Sequence, residues 1–519
     1  MAKFLRLSPG MGLAYVVPVQ PPTAGQGMSI PTAGTFRLFS REPKIKVLHL
    51  SWLAFFITFL VWFNHAPLMA AIRDTLGLST EQVTALLIVN VALTIPARIV
   101  VGILVDKLGP RLMYSALLAI SGALCIAFAL ARSFDALAVT RFLLGFVGAG
   151  FVVGIRIIAE WFPAKETGYA QGLYAGLGNF GSAAASVTLP TLALAFGGPD
   201  GWRWAIGTTG VIALVYAAIY YATVTDMPKG STYFSPKKVG AMEVTSRADF
   251  VLYCVMQAPL VLALALLAWK LGSSGLMLIS PAFEGGVYLL LLVLYGLLIL
   301  DTWRINRGVF TKPVADIHRY RFRQVAVLDI AYMITFGSEL AVVSILPLVF
   351  KDTFGLSLTM AGILGASFGM TTFFARPIGG WLSDRFGRRR TLFWCLGGTA
   401  LGYALMSFIG IKTGIAFAVL ATFLCSLFIN AGNGAVYAML PMIKRRLTGQ
   451  IAGMVGAFGN VGGVFFLAIY SIVDVATFFL IAAASALFGL MLTCLFIEEP
   501  KGQIAEEMPD GTIAMIDVR

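Results

Sequence analysis

Charge is scarce in this chain. Asp, Glu, Lys and Arg make up only 12% of its 519 residues, roughly half of what a soluble domain of that size carries. Cysteine is scarce too: Cys125, Cys254, Cys395, Cys425 and Cys494 all fall inside apolar stretches and show no metal-ligand spacing. They read as small packing residues, which argues against a disulfide framework. The three histidines form no cluster, and no phosphate-binding loop, nucleophile elbow or metal motif stands out. No metal, no cofactor and no enzymatic activity is expected. Nor does any basic domain stand apart from the apolar stretches, which argues against nucleic acid as a partner.

What fills the chain instead is apolar: 58% of its residues are hydrophobic, and the mean hydropathy is +0.86. Stretches of about 20 apolar residues recur, each long enough to cross roughly 30 Å of hydrocarbon at 1.5 Å per residue. We place them at 47–68, 83–106, 112–131, 136–160, 168–194, 203–225, 250–271, 284–303, 324–350, 359–384, 391–410, 414–440, 449–472 and 474–496. The expected class is an all-α polytopic membrane protein of about fourteen spans, with the lipid bilayer as its first partner.

The excess of 38 Lys+Arg over 25 Asp+Glu lies mainly between these spans. Lys107 and Arg111 follow the second span, and Arg385, Arg388, Arg389 and Arg390 follow the tenth. A further group, from Arg304 to Arg323, precedes residue 324, whereas Gly272 to Phe283 carries no charge. All the cationic loops share one side if both termini are cytoplasmic, so the positive-inside rule predicts a multi-pass protein of the cell (inner) membrane. Residues 1–45, rich in Gly and Pro, read as a cytoplasmic tail rather than a cleaved signal, and 499–519 as a second tail.

Between the tails the expected units are 46–225, a linker with an extra transmembrane hairpin at 226–323, and 324–498. The two large units repeat one another. Arg98 precedes Gly102-x-x-x-Asp106-x-x-Gly109-x-Arg111, and Arg376 precedes Gly380-x-x-x-Asp384-x-x-Gly387-x-Arg389, at identical spacing. Further on, Gly178-Asn179-x-Gly181 answers Gly459-Asn460-x-Gly462. Internal repeats of this kind mark transporters with a central site between the halves.

The Gly-Asp-Gly-Arg signature ends a helix and turns tightly, and its aspartate and arginine are suited to steady one conformer against a neighbouring helix end. Found twice, it resembles the loop signature of the major facilitator superfamily. "RFLLGFVGAG", from Arg141, resembles that superfamily's fourth helix. The resemblance implies two six-helix halves with pseudo-twofold symmetry, working by alternating access. It stops at the extra hairpin, which we expect at the periphery or in assembly, away from the path.

Arg98 and Arg376 each lie eight residues before the loop aspartate, about 12 Å inward along a helix. A centrally placed arginine costs roughly 2.5–3.5 kcal/mol even on a lenient insertion scale. Two would repel each other unless an anion sits between them. Neutralisation by buried carboxylates or carbonyls is the structural alternative, although few acidic residues are expected deep in these helices. The glycines Gly176, Gly178, Gly181, Gly456, Gly459 and Gly462 thin their helices for close packing, while the asparagine in each copy adds an uncharged amide donor.

These two Gly-Asn segments, the Ala-Arg ahead of each loop motif, "EWFPAKETGYAQG" and "NAGNGAVYAMLP" resemble the nitrate/nitrite porter family within that superfamily. The resemblance implies that Arg98 and Arg376 bind the anion, that Asn179 and its counterpart Asn460 hydrogen-bond to it, and that Phe151 and Tyr332 wall the pocket. The physics agrees: a guanidinium fork presents paired planar donors to a small planar anion, and aromatic edges are electropositive.

Glu339, mid-span in "TFGSELAVVSILP", is a candidate for proton coupling, because a membrane carboxylate is a functional candidate by default. Pairing with a nearby cation is the plainer alternative. Asn64 and His65 read as capping or interfacial residues, and Arg156 with Glu160 as a local ion pair. The expected activity is nitrate and/or nitrite transport, as symporter or antiporter, serving nitrate assimilation. Transport of another small anion, such as formate or oxalate, and a transporter-like nutrient sensor are the alternatives.

Overall fold

The computed structural model describes residues 38–162, 164–228, 241–272, 277, 279–311, 319–410, 412–444, 447–499, 503–507 and 513–517. The N-terminal tail up to residue 37 lies outside them, as do the side chains of Asp106 and Asp384.

The first half comprises α1 (Pro43–Phe63), α2 (Met69–Leu76), α3 (Thr80–Ala92), α4 (Thr94–Leu108), α5 (Pro110–Leu130), α6 (Phe134–Leu144), α7 (Gly150–Trp161), α8 (Ala164–Phe196) and α9 (Gly201–Thr223). An inserted pair follows, α10 (Arg247–Leu271) and α11 (Pro281–Asn306). The second half holds α12 (Phe322–Phe354), α13 (Leu358–Met370), α14 (Thr372–Phe386), α15 (Arg388–Met406), α16 (Gly414–Ile443), α17 (Thr448–Tyr470) and α18 (Val475–Phe496). Among the described residues, 13 helical segments are long and apolar enough to cross a membrane. The expected span at 391–410 falls on α15, which is absent from that set; its first turn holds three arginines, which lower its hydropathy. The C-terminal tail carries an antiparallel hairpin of β1 (Gln503–Glu507) and β2 (Ile513–Asp517).

Local chemistry sets the helix ends. Proline opens α1, α5 and α11, where its missing N–H costs nothing. The turn Gly-Leu-Ser occurs twice: Gly77 and Gly355, both at φ 63, end α2 and α12, and Ser79 and Ser357 then cap α3 and α13. Both copies lie nineteen residues before an arginine, Arg98 or Arg376. The helices that follow are each broken once, at Leu93 and Thr371, five residues before those same arginines. In the first copy Pro96 cannot donate to the carbonyl of Ala92, which accounts for the break.

The core is central. In the apolar 18-residue stretch of α12, 94% of the residues are buried, against 11% in that of Pro281–Phe310, which presents Leu289, Leu292, Leu297 and Leu300 outward, as lipid-facing residues should be. The insert is not wholly peripheral, however. Its first helix, α10, packs on α3 of one half and on α12 and α17 of the other. At the end of the bundle away from the cationic loops, the halves are tied by Arg73 to Asp352 (3.1 Å) and Lys351 to Asp74 (3.4 Å).

Candidate functional site

The two Gly-Asn helices exchange partners across the molecule. α17 of the second half packs on α4, which carries Arg98, and α8 of the first half packs on α14, which carries Arg376. In α17 the carbonyl of Gly456 accepts from Arg98 Nη1 at 2.5 Å and from Asn460 Nδ2 at 3.0 Å. A Cβ at Gly456 would lie 2.9 Å from that guanidinium nitrogen, so any larger residue would push Arg98 off the bond. In α8, Gly176 lies beside the backbone of Thr372 and Phe373, one turn before Arg376.

The first helix of each half meets its glycines in the same way. A Cβ at Gly181 would come within 2.1 Å of the Phe56 carbonyl, and one at Gly462 within 2.1 Å of the Met333 carbonyl. One turn earlier, Gly178 faces the Phe55 ring and Gly459 the rings of Phe336 and Tyr332. These glycines let the backbones approach closely enough to bring both arginine-bearing seams to the centre.

Arg98 and Arg376 are 6% and 7% exposed, and they share one aromatic ring. The guanidinium carbon of Arg98 lies 5.9 Å from the Phe336 centroid and 5.4 Å from that of Phe151; that of Arg376 lies 5.4 Å from Phe336. Tyr332 stacks on Phe336 at 4.9 Å, and Tyr437 stands edge-on to both Tyr332 (5.1 Å) and Phe151 (5.8 Å). Arg98, Phe151, Tyr332, Arg376 and Glu339 are thus gathered around a ring that the sequence reading did not single out.

The two cations differ in their partners. Arg98 donates to two carbonyls, Gly456 O and Gly148 O (3.3 Å from Nε). Arg376 Nη2 lies 3.5 Å from Glu339 Oε2, beyond a good hydrogen bond, and its Nε and Nη2 have no acceptor among the described residues. Glu339 is held by Asn433 Nδ2 (2.6 Å) and by the Thr372 hydroxyl (3.2 Å). Both expected kinds of neutralisation therefore occur in part, carbonyls at Arg98 and a carboxylate at Arg376. Two cations and one anion leave the cluster one positive charge in excess. Among the described residues, Asn179 is buried with neither end of its amide bonded, and the Asn460 carbonyl oxygen is likewise unbonded. Buried polar groups left in this state cost free energy unless a partner arrives.

The loop motifs stand apart from this cluster. Gly109 and Gly387 adopt φ 82 and φ 100, which favours glycine. Against each turn rests a carboxylate from just beyond the last helix of the same half. Asp226 accepts from Arg111 N (2.7 Å), and Glu499 accepts from Arg388 N (2.8 Å) and Arg389 N (2.9 Å). The side chains of Arg111 and Arg389 reach the carbonyls of Tyr221 and Cys494. Gly102 and Gly380 face Val152 and the Gly434 carbonyl at ordinary contact distances.

Other readings resolve simply. Asn64 accepts from the buried Arg141 (3.0 Å) and donates to Thr209 (2.9 Å), which makes it part of a structural network. Arg156 pairs with Glu160 at 2.9 Å. Sequence reasoning missed Phe336, Tyr437, Asn433, Asp226 and Glu499. A signal existed for each: Phe336 is one turn from Tyr332, Asn433 and Tyr437 lie within a segment already singled out, and an acid follows the last span of both halves.

The Major Facilitator Superfamily model matches residues 51–314 and 328–512. The nitrate/nitrite transporter NrtP of Nostoc punctiforme is 44% identical over 481 residues, covering 90% of this chain and 95% of that protein. Its namesake from Picosynechococcus is 40% identical over 515 residues, covering 90% and 96%. Among solved structures, an auto-inhibited POT family peptide transporter superposes with a TM-score of 0.63 at 16% identity, covering 88% of this chain and 96% of that one. This chain belongs to the Major Facilitator Superfamily and, within it, to the nitrate/nitrite porter family.

Proposed function

We propose that this protein carries nitrate and nitrite across the membrane by alternating access, holding the anion between Arg98 and Arg376. One observation carries the reading: two buried guanidinium groups, one from each half, flank the single ring of Phe336, and Arg376 keeps unengaged donors. One monovalent anion would cancel the excess charge and draw the halves together. The Asn179 amide is free to donate to it, whereas Asn460 gives its NH2 to Gly456 O and so steadies α17 rather than the anion; Phe151, Phe336 and Tyr332 would wall the anion.

Residues 46–225 and 324–498 are the rocking units in this reading. The ion pairs Arg73–Asp352 and Lys351–Asp74 close the side away from the cationic loops. The loop cations support an inner-membrane location with both termini cytoplasmic. Protonation of Glu339 would free Arg376 for the anion, which couples the proton to anion entry.

Counterflow in proteoliposomes tests the function. Labelled nitrate outside should exchange with unlabelled nitrate or nitrite inside, and arginine-to-lysine variants at 98 and 376 should not exchange. Exchange of formate or oxalate, with nitrate excluded, would replace this reading with a carboxylate carrier; binding with no flux at all would favour a sensor.

A further inference from the structure

A second carboxylate lies buried in α12. Asp329 is fully buried, and neither carboxylate oxygen has a hydrogen-bond partner among the described residues. The helices packed around α12 in its own half, α13, α16, α17 and α18, contain no Asp, Glu, Lys or Arg. The titratable groups they do carry are Cys425 and Tyr437 on α16, Tyr470 on α17 and Cys494 on α18.

The inserted helix supplies the remaining face. Tyr253 of α10 is within electrostatic reach of Asp329 and packs edge-on to Phe322 at the start of α12. Other charged groups near that end of α10 are already engaged. Asp249 accepts from Phe322 N (3.0 Å) and from the Ser246 hydroxyl (2.8 Å), and Arg247 donates to the Phe310 carbonyl (3.1 Å). On α12 itself, Arg323 pairs with Glu498 at 3.0 Å.

Asp329 stands seven residues into α12, about 10 Å from its start. Asp329, Tyr332 and Phe336 follow the i, i+3, i+7 spacing and share one helix face, the face that leads to the anion cluster. A charge buried in such a place, without donor or cation, is costly to keep. A metal ion would need several more oxygen ligands, and the described residues contain no group of three metal-binding side chains. The ion that suits a lone carboxylate is a proton.

We propose that Asp329 is a proton-binding site of the transport cycle, separate from Glu339, which holds a proton in this conformation and gives it up to water in another. The inference rests on the reading of the chain as an anion carrier. It gives the insert a role, since α10 packs against α12, which carries Asp329, and touches both halves.

The test reconstitutes full-length protein with a pH-sensitive dye inside the vesicles. It measures nitrate counterflow, nitrate accumulation driven by an imposed pH gradient, and protons moved per nitrate. Asp329→Asn should keep nitrate–nitrate counterflow within about twofold, move fewer protons per nitrate and lose most of the accumulation. Asp329→Glu should restore coupling. Unchanged accumulation and proton ratio in Asp329→Asn would overturn the proposal. So would loss of counterflow in both variants, which marks the residue as structural. A wild type that exchanges nitrate but neither accumulates it under the pH gradient nor moves protons with net nitrate flux also overturns it and leaves the nitrate reading intact; a wild type that exchanges no nitrate defeats that reading first.

Discussion

Arg376 Nη2 and Glu339 Oε2 lie 3.5 Å apart, with both side chains 7% exposed. This pair decides the charge of the site. With it, the cluster holds two cations and one carboxylate. Without it, two like charges would face one anion of unit charge. The contact is also loose, which suits a cation that exchanges one anionic partner for another during transport.

Glu339→Gln should therefore raise nitrate affinity and slow turnover, because the extra positive charge holds the anion in every conformation. We expect KM to fall several-fold and the maximal rate to fall by about tenfold, equivalent to ~1.4 kcal/mol on release. Uptake kinetics in vesicles check this; a variant with unchanged KM and rate would remove Glu339 from the cycle.

Arginine-to-lysine substitution at 98 or 376 should reduce nitrate transport at least roughly tenfold, since a point charge cannot present a planar fork. The Arg98 variant should also lose stability, because Arg98 bridges to Gly456 and Gly148 across helices, whereas Arg376 has free donors. Transport assays alongside a thermal-shift measurement separate the two effects.

Two glycines on α17 make a controlled pair. A methyl at Gly456 would press on Arg98 Nη1, while nothing lies within 4 Å of one at Gly453. Gly456→Ala should weaken nitrate binding, and Gly453→Ala should leave it unchanged. Binding measured on both purified variants checks the contrast.

The carboxylates at the two loop turns should matter for stability. Asp226→Asn and Glu499→Gln each weaken charge-assisted hydrogen bonds to backbone N–H groups, at a cost of about 1–2 kcal/mol. A fall in melting temperature, with nitrate affinity unchanged, is the expected result.

Much of this was legible in the sequence, because a membrane imposes long apolar helices and the repeat shows itself through spacing. The spans, the two halves and the arginines could be read that way. The Phe336 ring was only half legible: its one-turn spacing from Tyr332 was there, but which face of the helix meets the arginines shows only once the helix is placed. Glu339 as partner of Arg376 needed side chains of α12 and α14 to meet at the centre, which no local pattern specifies. The hairpin posed the same problem: hydropathy reveals that α10 exists, but only packing shows it lying on both halves. Arg388, Arg389 and Arg390 misled in a smaller way, since their charge opens a helix that the apolar run alone would have begun at Thr391.

Transport as proposed requires that one anion sit between Arg98 and Arg376. Its most direct test is an experimental structure of the protein with nitrate bound. Density for a small planar anion on the Phe336 face, within hydrogen-bond reach of both guanidinium groups and the Asn179 amide, is the predicted result. Nitrate lodged elsewhere, with Arg98 still on Gly456 and Arg376 still beside Glu339, would contradict it.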